Sequence, residues 1–144
     1  MVSGQYAAVV VHSLADARVV LAHRAPVTLL SGEAAALYAG CSWWRALTAS
    51  ARAEFPAVPI TDLLDCGDAS GQALAAVRIG LRRLILWPDA PGRAKVVSIV
   101  TGLGGVLLAE RPPALDLADP GNRRRLHEWV QARTDTDDRG AALR

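Results

Sequence analysis

The chain is short of cysteine, lysine and aromatic residues, and each shortage removes a class of protein. It has two cysteines, Cys41 and Cys66, at neither zinc nor redox spacing. No disulfide framework or structural zinc site is therefore encoded, and a reduced, cytoplasmic compartment is the default. Lys95 is the only lysine. Together with the abundant alanine, this arginine bias points to a GC-rich coding sequence more than to a selected chemistry. No apolar run approaches the roughly 18 residues of a membrane span. The start, Met-Val-Ser-Gly-Gln, lacks the cationic segment of a secretory signal. No G-x-G-x-x-G or phosphate-loop pattern occurs, so no dinucleotide or other cofactor is expected, and no metal. A net charge of +2 is too small to imply nucleic acid by itself.

What is present is apolar: 51% of the 144 residues are hydrophobic, and mean hydropathy is +0.21. The apolar residues come in runs of about five, as buried parallel strands require. Length predicts one domain, residues 1–133, that buries enough surface to fold without a staple. The polar segment 134–144 reads as a flexible tail.

Five strand-like runs alternate with helix-like segments. The strands are expected at Ala7–His12, Val27–Leu30, Ile60–Leu64, Arg83–Trp87 and Val106–Ala109. Ser13 is placed to cap the first helix, with Asp16 in its first turn. Ser42 is expected to cap the helix Trp43–Glu54, which puts Trp44, Leu47, Ala51 and Phe55 on one face. Asp68 or Ser70 is expected to cap the helix after the third strand, and Pro91 to open the next one. Arg111-Pro112-Pro113 breaks regular structure, and residues 114–119 read as a connector. The last helix begins near Asn122. Its Arg123-Arg124-Arg125 run reads as a solvated face.

This alternation predicts an α/β fold: a three-layer sandwich around a five-stranded parallel sheet. The flavodoxin-like order 2-1-3-4-5 is preferred, with the Rossmann-like order 3-2-1-4-5 second. The βαβ unit of residues 60–89 is the firmest part of this reading.

Ligands of such sheets bind beyond the carboxyl ends of the strands, where strand order reverses. In the preferred order His12, Ser13, Asp65, Cys66 and Asp68 converge there. Ser31, Gly32, Gly67, Trp87 and Asp89 lie at other strand ends and complete the ligand-binding candidates. The catalytic candidates are His12, Asp65 and Cys66. A carboxylate at Asp65 suits acid–base work, and a Cys66–His12 pair would be a nucleophile. Each has a plainer role too. Asp65 and Asp68 can serve the turn and the cap, Cys66 can be a small buried hydrophobe, and His12 can be a hydrogen-bonded structural residue. The excursion 31–42, with two glycines, can form a flap over the pocket mouth.

The third strand ending in Asp65, with its glycine-containing turn and helix, resembles the phosphoacceptor strand of response-regulator receiver domains. The resemblance implies a scaffold only. Receivers carry an acidic pair where this chain has His12-Ser13, Ser or Thr where it has Trp87-Pro88, and Lys-Pro where it has Arg111-Pro112. The segments APVTLLSGEAAALYAG, WWRAL and DLLDCGDASGQALAAVRIGLRRLIL are similar to those of small bacterial α/β proteins without assigned function. That resemblance implies a bacterial cytoplasmic protein and supplies no catalytic residues.

The expected function is a noncatalytic small-ligand-binding or regulatory domain that uses the carboxyl edge of the sheet. The alternatives are a small enzyme using His12 with Asp65 or Cys66, and an interaction module. The last would be a homodimer joined through the apolar helix that opens at Pro91 and ends at Gly104-Gly105, or through the tryptophan-bearing surfaces. Neither nucleic acid nor membrane is an expected partner.

Overall fold

A computed structural model describes the backbone of residues 6–142 and the side chains of residues 6–132. In chain order the elements are β1 (Ala8–Val10), α1 (Leu14–Leu21), β2 (Val27–Leu30), α2 (Ala35–Tyr38), α3 (Cys41–Glu54), β3 (Ile60–Asp65), α4 (Ser70–Arg78), β4 (Arg83–Ile85), α5 (Arg93–Gly102), β5 (Val106–Leu108), β6 (Ala114–Asp116) and α6 (Asn122–Ala142). The backbone of α6 is helical into the segment read as a tail. The side chains of that segment, and the last two residues altogether, lie outside the described residues.

The architecture is α/β with a wholly parallel sheet, as the alternation of runs requires. Two expectations are corrected. The sheet has six strands rather than five, and its order is β5-β4-β3-β2-β1-β6, neither 2-1-3-4-5 nor 3-2-1-4-5. The sixth strand lies in the stretch read as a connector, where Ala8 pairs with Ala114 and Val10 with Asp116. Each of the first four strands is followed by its spatial neighbour. The chain then returns to β1 from the other side, so the reversal lies between β1 and β6.

The five-residue link 109–113 spans from one edge strand to the other. Fully extended, it reaches about 22 Å. Five strand spacings in a flat sheet come to about 24 Å. The sheet must therefore curl toward the link, as twisted parallel sheets do.

Strand alternation sorts the core into two clusters. The larger holds Val9, Leu29, Leu64, Leu84 and Leu115 on one face of the sheet, with buried residues of all six helices, among them Leu21, Trp44, Ala76, Val100 and Leu126. The smaller holds Val10, Leu30, Leu63 and Ile85 on the opposite face, with Trp87, Leu108 and Ala114 packed against them. It contains no helix residue. Trp129 ties α6 to the first strand by donating its indole N–H to the Ala8 carbonyl at 2.9 Å.

Capping follows expectation at α1, where Ser13 accepts from the Asp16 amide at 3.1 Å. It departs elsewhere. Helix α3 begins after Gly40, α4 after Ala69 and α5 after Gly92, and no side-chain bond caps any of them. Ser42 and Ser70 are inside their helices, and Asp68 and Pro91 precede theirs by more than one residue. Among the described residues no helix is long and apolar enough to cross a membrane.

Candidate functional site

The strand order moves the expected ligand crevice from β1/β3 to β1/β6. His12 follows the end of β1, and Asp116 is the last residue of β6. His12 Nε2 and Asp116 Oδ1 are 2.8 Å apart, bridging the reversal point. The side chains of both are partly exposed, at 38% and 47%. Neighbouring groups hold the pair in place. The His12 amide donates to Asp16 Oδ2 at 2.9 Å, and Arg123 donates to the other oxygen of Asp16. The Ala118 amide donates to Asp116 Oδ1 at 2.9 Å.

Partial burial pushes the Asp116 carboxyl upward. The Ala118 amide, the His12 ring and the charge of Arg111 outweigh it, leaving the group below the usual carboxylate range. An ionised carboxylate only accepts hydrogen bonds, so the His12 nitrogen facing it carries the proton. In the neutral ring Nδ1 is then the open acceptor. Gly32 lies beside it: a methyl group there would stand 3.3 Å from Nδ1 and would strike the Tyr38 hydroxyl. The excursion after β2 thus brings the hydroxyl of the largely exposed Tyr38 to Gly32, beside which the His12 ring also lies.

A second constellation lies next to the first. Asp65 is fully buried on the same sheet face as Leu63. Its Oδ1 accepts from the Gly67 amide at 2.8 Å, and its Oδ2 from Arg111 Nη1 at 2.7 Å. Its own amide donates to Ser31 Oγ at 2.9 Å, while Arg111 Nη2 donates to the Ser31 carbonyl at 3.0 Å. Gly67 is at φ +57° and its carbonyl accepts from the Trp87 amide, so the turn is built around the Asp65 carboxylate. Arg111, on the link, therefore pins β2, β3 and the crossing segment together. Both oxygens of Asp65 are engaged in that work.

The candidates from sequence separate accordingly. His12, Gly32 and Ser31 lie around the two constellations, with Asp65 and Gly67 in the second. His12 bonds Asp116 rather than Asp65 or Cys66. Cys66 faces the helix side of the sheet, the side opposite Asp65. Burial, then the Asp65 charge and Cys41, push its thiol up to about 12, so no thiolate is available there. Ser13 serves as the cap of α1. Asp68 and Asp89 are exposed in turns, and Trp87 is half-buried against the smaller cluster. Helix α5 buries Val96 and Val100 and exposes Ile99, and Leu103 just after it is exposed too.

Two residues escaped the sequence reading. Asp116 was hidden because β6 was not recognised, although Leu115-Asp116-Leu117 alternates with the period of a strand. Arg111 was visible at a strand end but had no assigned partner. Among the described residues no group of three or more His, Cys, Asp or Glu side chains is arranged to hold a metal ion. No protein-family model matches the chain, and no curated protein matches it.

Proposed function

We propose that this protein is a noncatalytic small-ligand-binding or regulatory domain whose ligand occupies the crevice between the carboxyl ends of β1 and β6. One observation carries the reading: the His12–Asp116 pair spans the point where strand order reverses, the place where parallel sheets bind ligands. Arg111 adds a cation held between Asp65 and Ser31, and Tyr38 adds a hydroxyl from the adjoining excursion. This is a set of polar groups that orients a small molecule on a rigid frame.

A thermal-shift screen with a broad panel of small metabolites tests it. A ligand at about 100 times its Kd stabilises the folded state by about 2.7 kcal/mol, a shift of several degrees for a chain of this length. At least one compound is expected to produce such a shift, and the shift should shrink in His12→Ala. A panel without a stabiliser, or a stabiliser indifferent to His12 and Asp116, would sink the reading.

The dyad itself favours a second reading. An ionised Asp116 orients His12 as a general base or acid, as in hydrolytic and proton-transfer sites. In that case the stabilising compound is consumed on incubation, and Asp116→Asn stops turnover while retaining binding. Binding without consumption keeps the first reading.

A further inference from the structure

We propose that the free edge of β5 is an interface with a second copy of this chain, joined strand to strand in antiparallel register about Leu107. Strand β5 ends the sheet at the side opposite β6, and its one strand partner is β4. The Val106 amide donates to the Arg82 carbonyl at 2.7 Å, and the Leu108 carbonyl accepts from the Leu86 amide at 3.0 Å. Backbone groups alternate in direction along a strand, so the N–H and C=O of Leu107 point outward, away from β4. The Gly105 carbonyl and the Ala109 amide fall on the same outward side, and neither has a hydrogen-bond partner among the described residues.

These outward groups complement a copy of themselves. With Leu107 facing its mate across a two-fold axis, each donates its N–H to the other's carbonyl. Each Ala109 amide then meets the mate's Gly105 carbonyl. The ladder stops there, because the Gly105 amide is taken by the Val100 carbonyl at 2.9 Å.

Charge favours a second copy as the occupant. A surface that meets its own copy meets its own charges, and from Val96 to Ala109 no residue is charged. Nothing at the axis therefore repels. At the rim, antiparallel pairing carries the exposed Glu110 toward the amino end of the mate's β5. There Arg83, on β4 opposite Val106, has no ion pair among the described residues.

Helix α5 packs on β5 and supplies the apolar cover. Val97 is half-buried on one flank of its buried stripe, while Ile99 and the following Leu103 are 40% and 52% exposed on the other. Leu107 lies on this same helix side of the sheet, at the margin of the larger cluster. The opposite edge is blunted: Pro112-Pro113 lead into β6, and the strand ends in Asp116. One open edge per chain gives a closed dimer rather than a filament.

Sedimentation equilibrium tests this. Wild type is expected to show twice its 15.2 kDa at about 100 µM and to dissociate on dilution toward about 1 µM, as a modest interface does. Ala109 is exposed and its amide is unbonded within the chain, so Ala109→Pro costs the monomer no hydrogen bond. It should weaken the dimer at least about tenfold, since a bond is lost on each side of the axis. Leu103→Lys, which sets like charges beside the axis, should do the same, and Ala109→Ser should leave the dimer intact. If Ala109→Pro does not fold, hydrogen exchange of wild type decides: the Leu107 and Ala109 amides should be protected at high concentration and exchange freely on dilution. A monomer throughout the range overturns the proposal, as does a mass that grows past the dimer. A dimer that survives Ala109→Pro, or that leaves those two amides unprotected, lies elsewhere and overturns it too.

Discussion

Asp65 shows how a residue's neighbours decide its role. Its sequence position suggested chemistry, but both oxygens are bonded within the fold, and its side chain is 0% exposed against 25% for Arg111. A buried ion pair adds little net stability, yet breaking it strands a charge. Arg111→Ala should therefore destabilise the protein by about 3 kcal/mol in urea denaturation, the low end for such pairs because Arg111 keeps some solvent. Replacing both partners by apolar residues, Asp65→Leu with Arg111→Met, should recover most of that loss. Equal loss in the single and double variants would contradict the account. Asp116 makes a different prediction. Its pKa is depressed in the folded state, so its contribution is present above the unfolded value, near 3.9, and fades as pH falls through the folded one. The stability difference between wild type and Asp116→Asn should shrink as pH falls below about 4. A difference that does not shrink there would mean the pair does not hold Asp116 ionised.

At the scale of elements, the sequence read well where a local rule sufficed. Val27–Leu30 and the capping Ser13 are where run length and side-chain chemistry put them. Reading failed where backbone rather than side chains ends an element. Gly40 and Gly92 precede α3 and α5 at positive φ, and neither leaves a capping signature in the sequence. Strand β6 was missed because three residues after two prolines make no apolar run. Only its pairing with β1 marks it as a strand. The glycines supply a paired test of packing. A methyl group on Gly105 would lie 2.6 Å from the Arg82 carbonyl and 2.8 Å from a Val100 methyl, at the junction of α5 and β5. Gly105→Ala should cost about 1–3 kcal/mol through that crowding. Gly71 is inside α4 with nothing within 4 Å of such a methyl. Gly71→Ala should stabilise by roughly 0.5–1 kcal/mol, since alanine loses less freedom in a helix. Opposite signs in thermal unfolding are the expected result.

For the whole molecule, fold class was legible and strand order was not. Alternating runs determine that the sheet is parallel, but right-handed crossovers leave several orders open. The order that forms depends on β6, hence on pairings more than a hundred residues apart in the chain, such as Val10 with Asp116. Because the order was misread, the reversal point was misplaced and His12 was given the wrong partner. The same order explains the two-sided core. The helices all add to one cluster, and the curled face under the 109–113 link holds the other. The two share every strand, so neither can come apart without the sheet. Unfolding should then be a single transition. Trp44 is buried in the larger cluster and Trp87 packs on the smaller, so tryptophan fluorescence reports both sides, and far-ultraviolet circular dichroism reports the helices. Leu30 is fully buried on the curled face. Leu30→Ala should lower stability by about 2–5 kcal/mol and move both signals to the same lower urea midpoint. A fluorescence midpoint that shifts while the helical signal stays in place would show that the curled face opens by itself, and that the link, not the shared sheet, holds it closed.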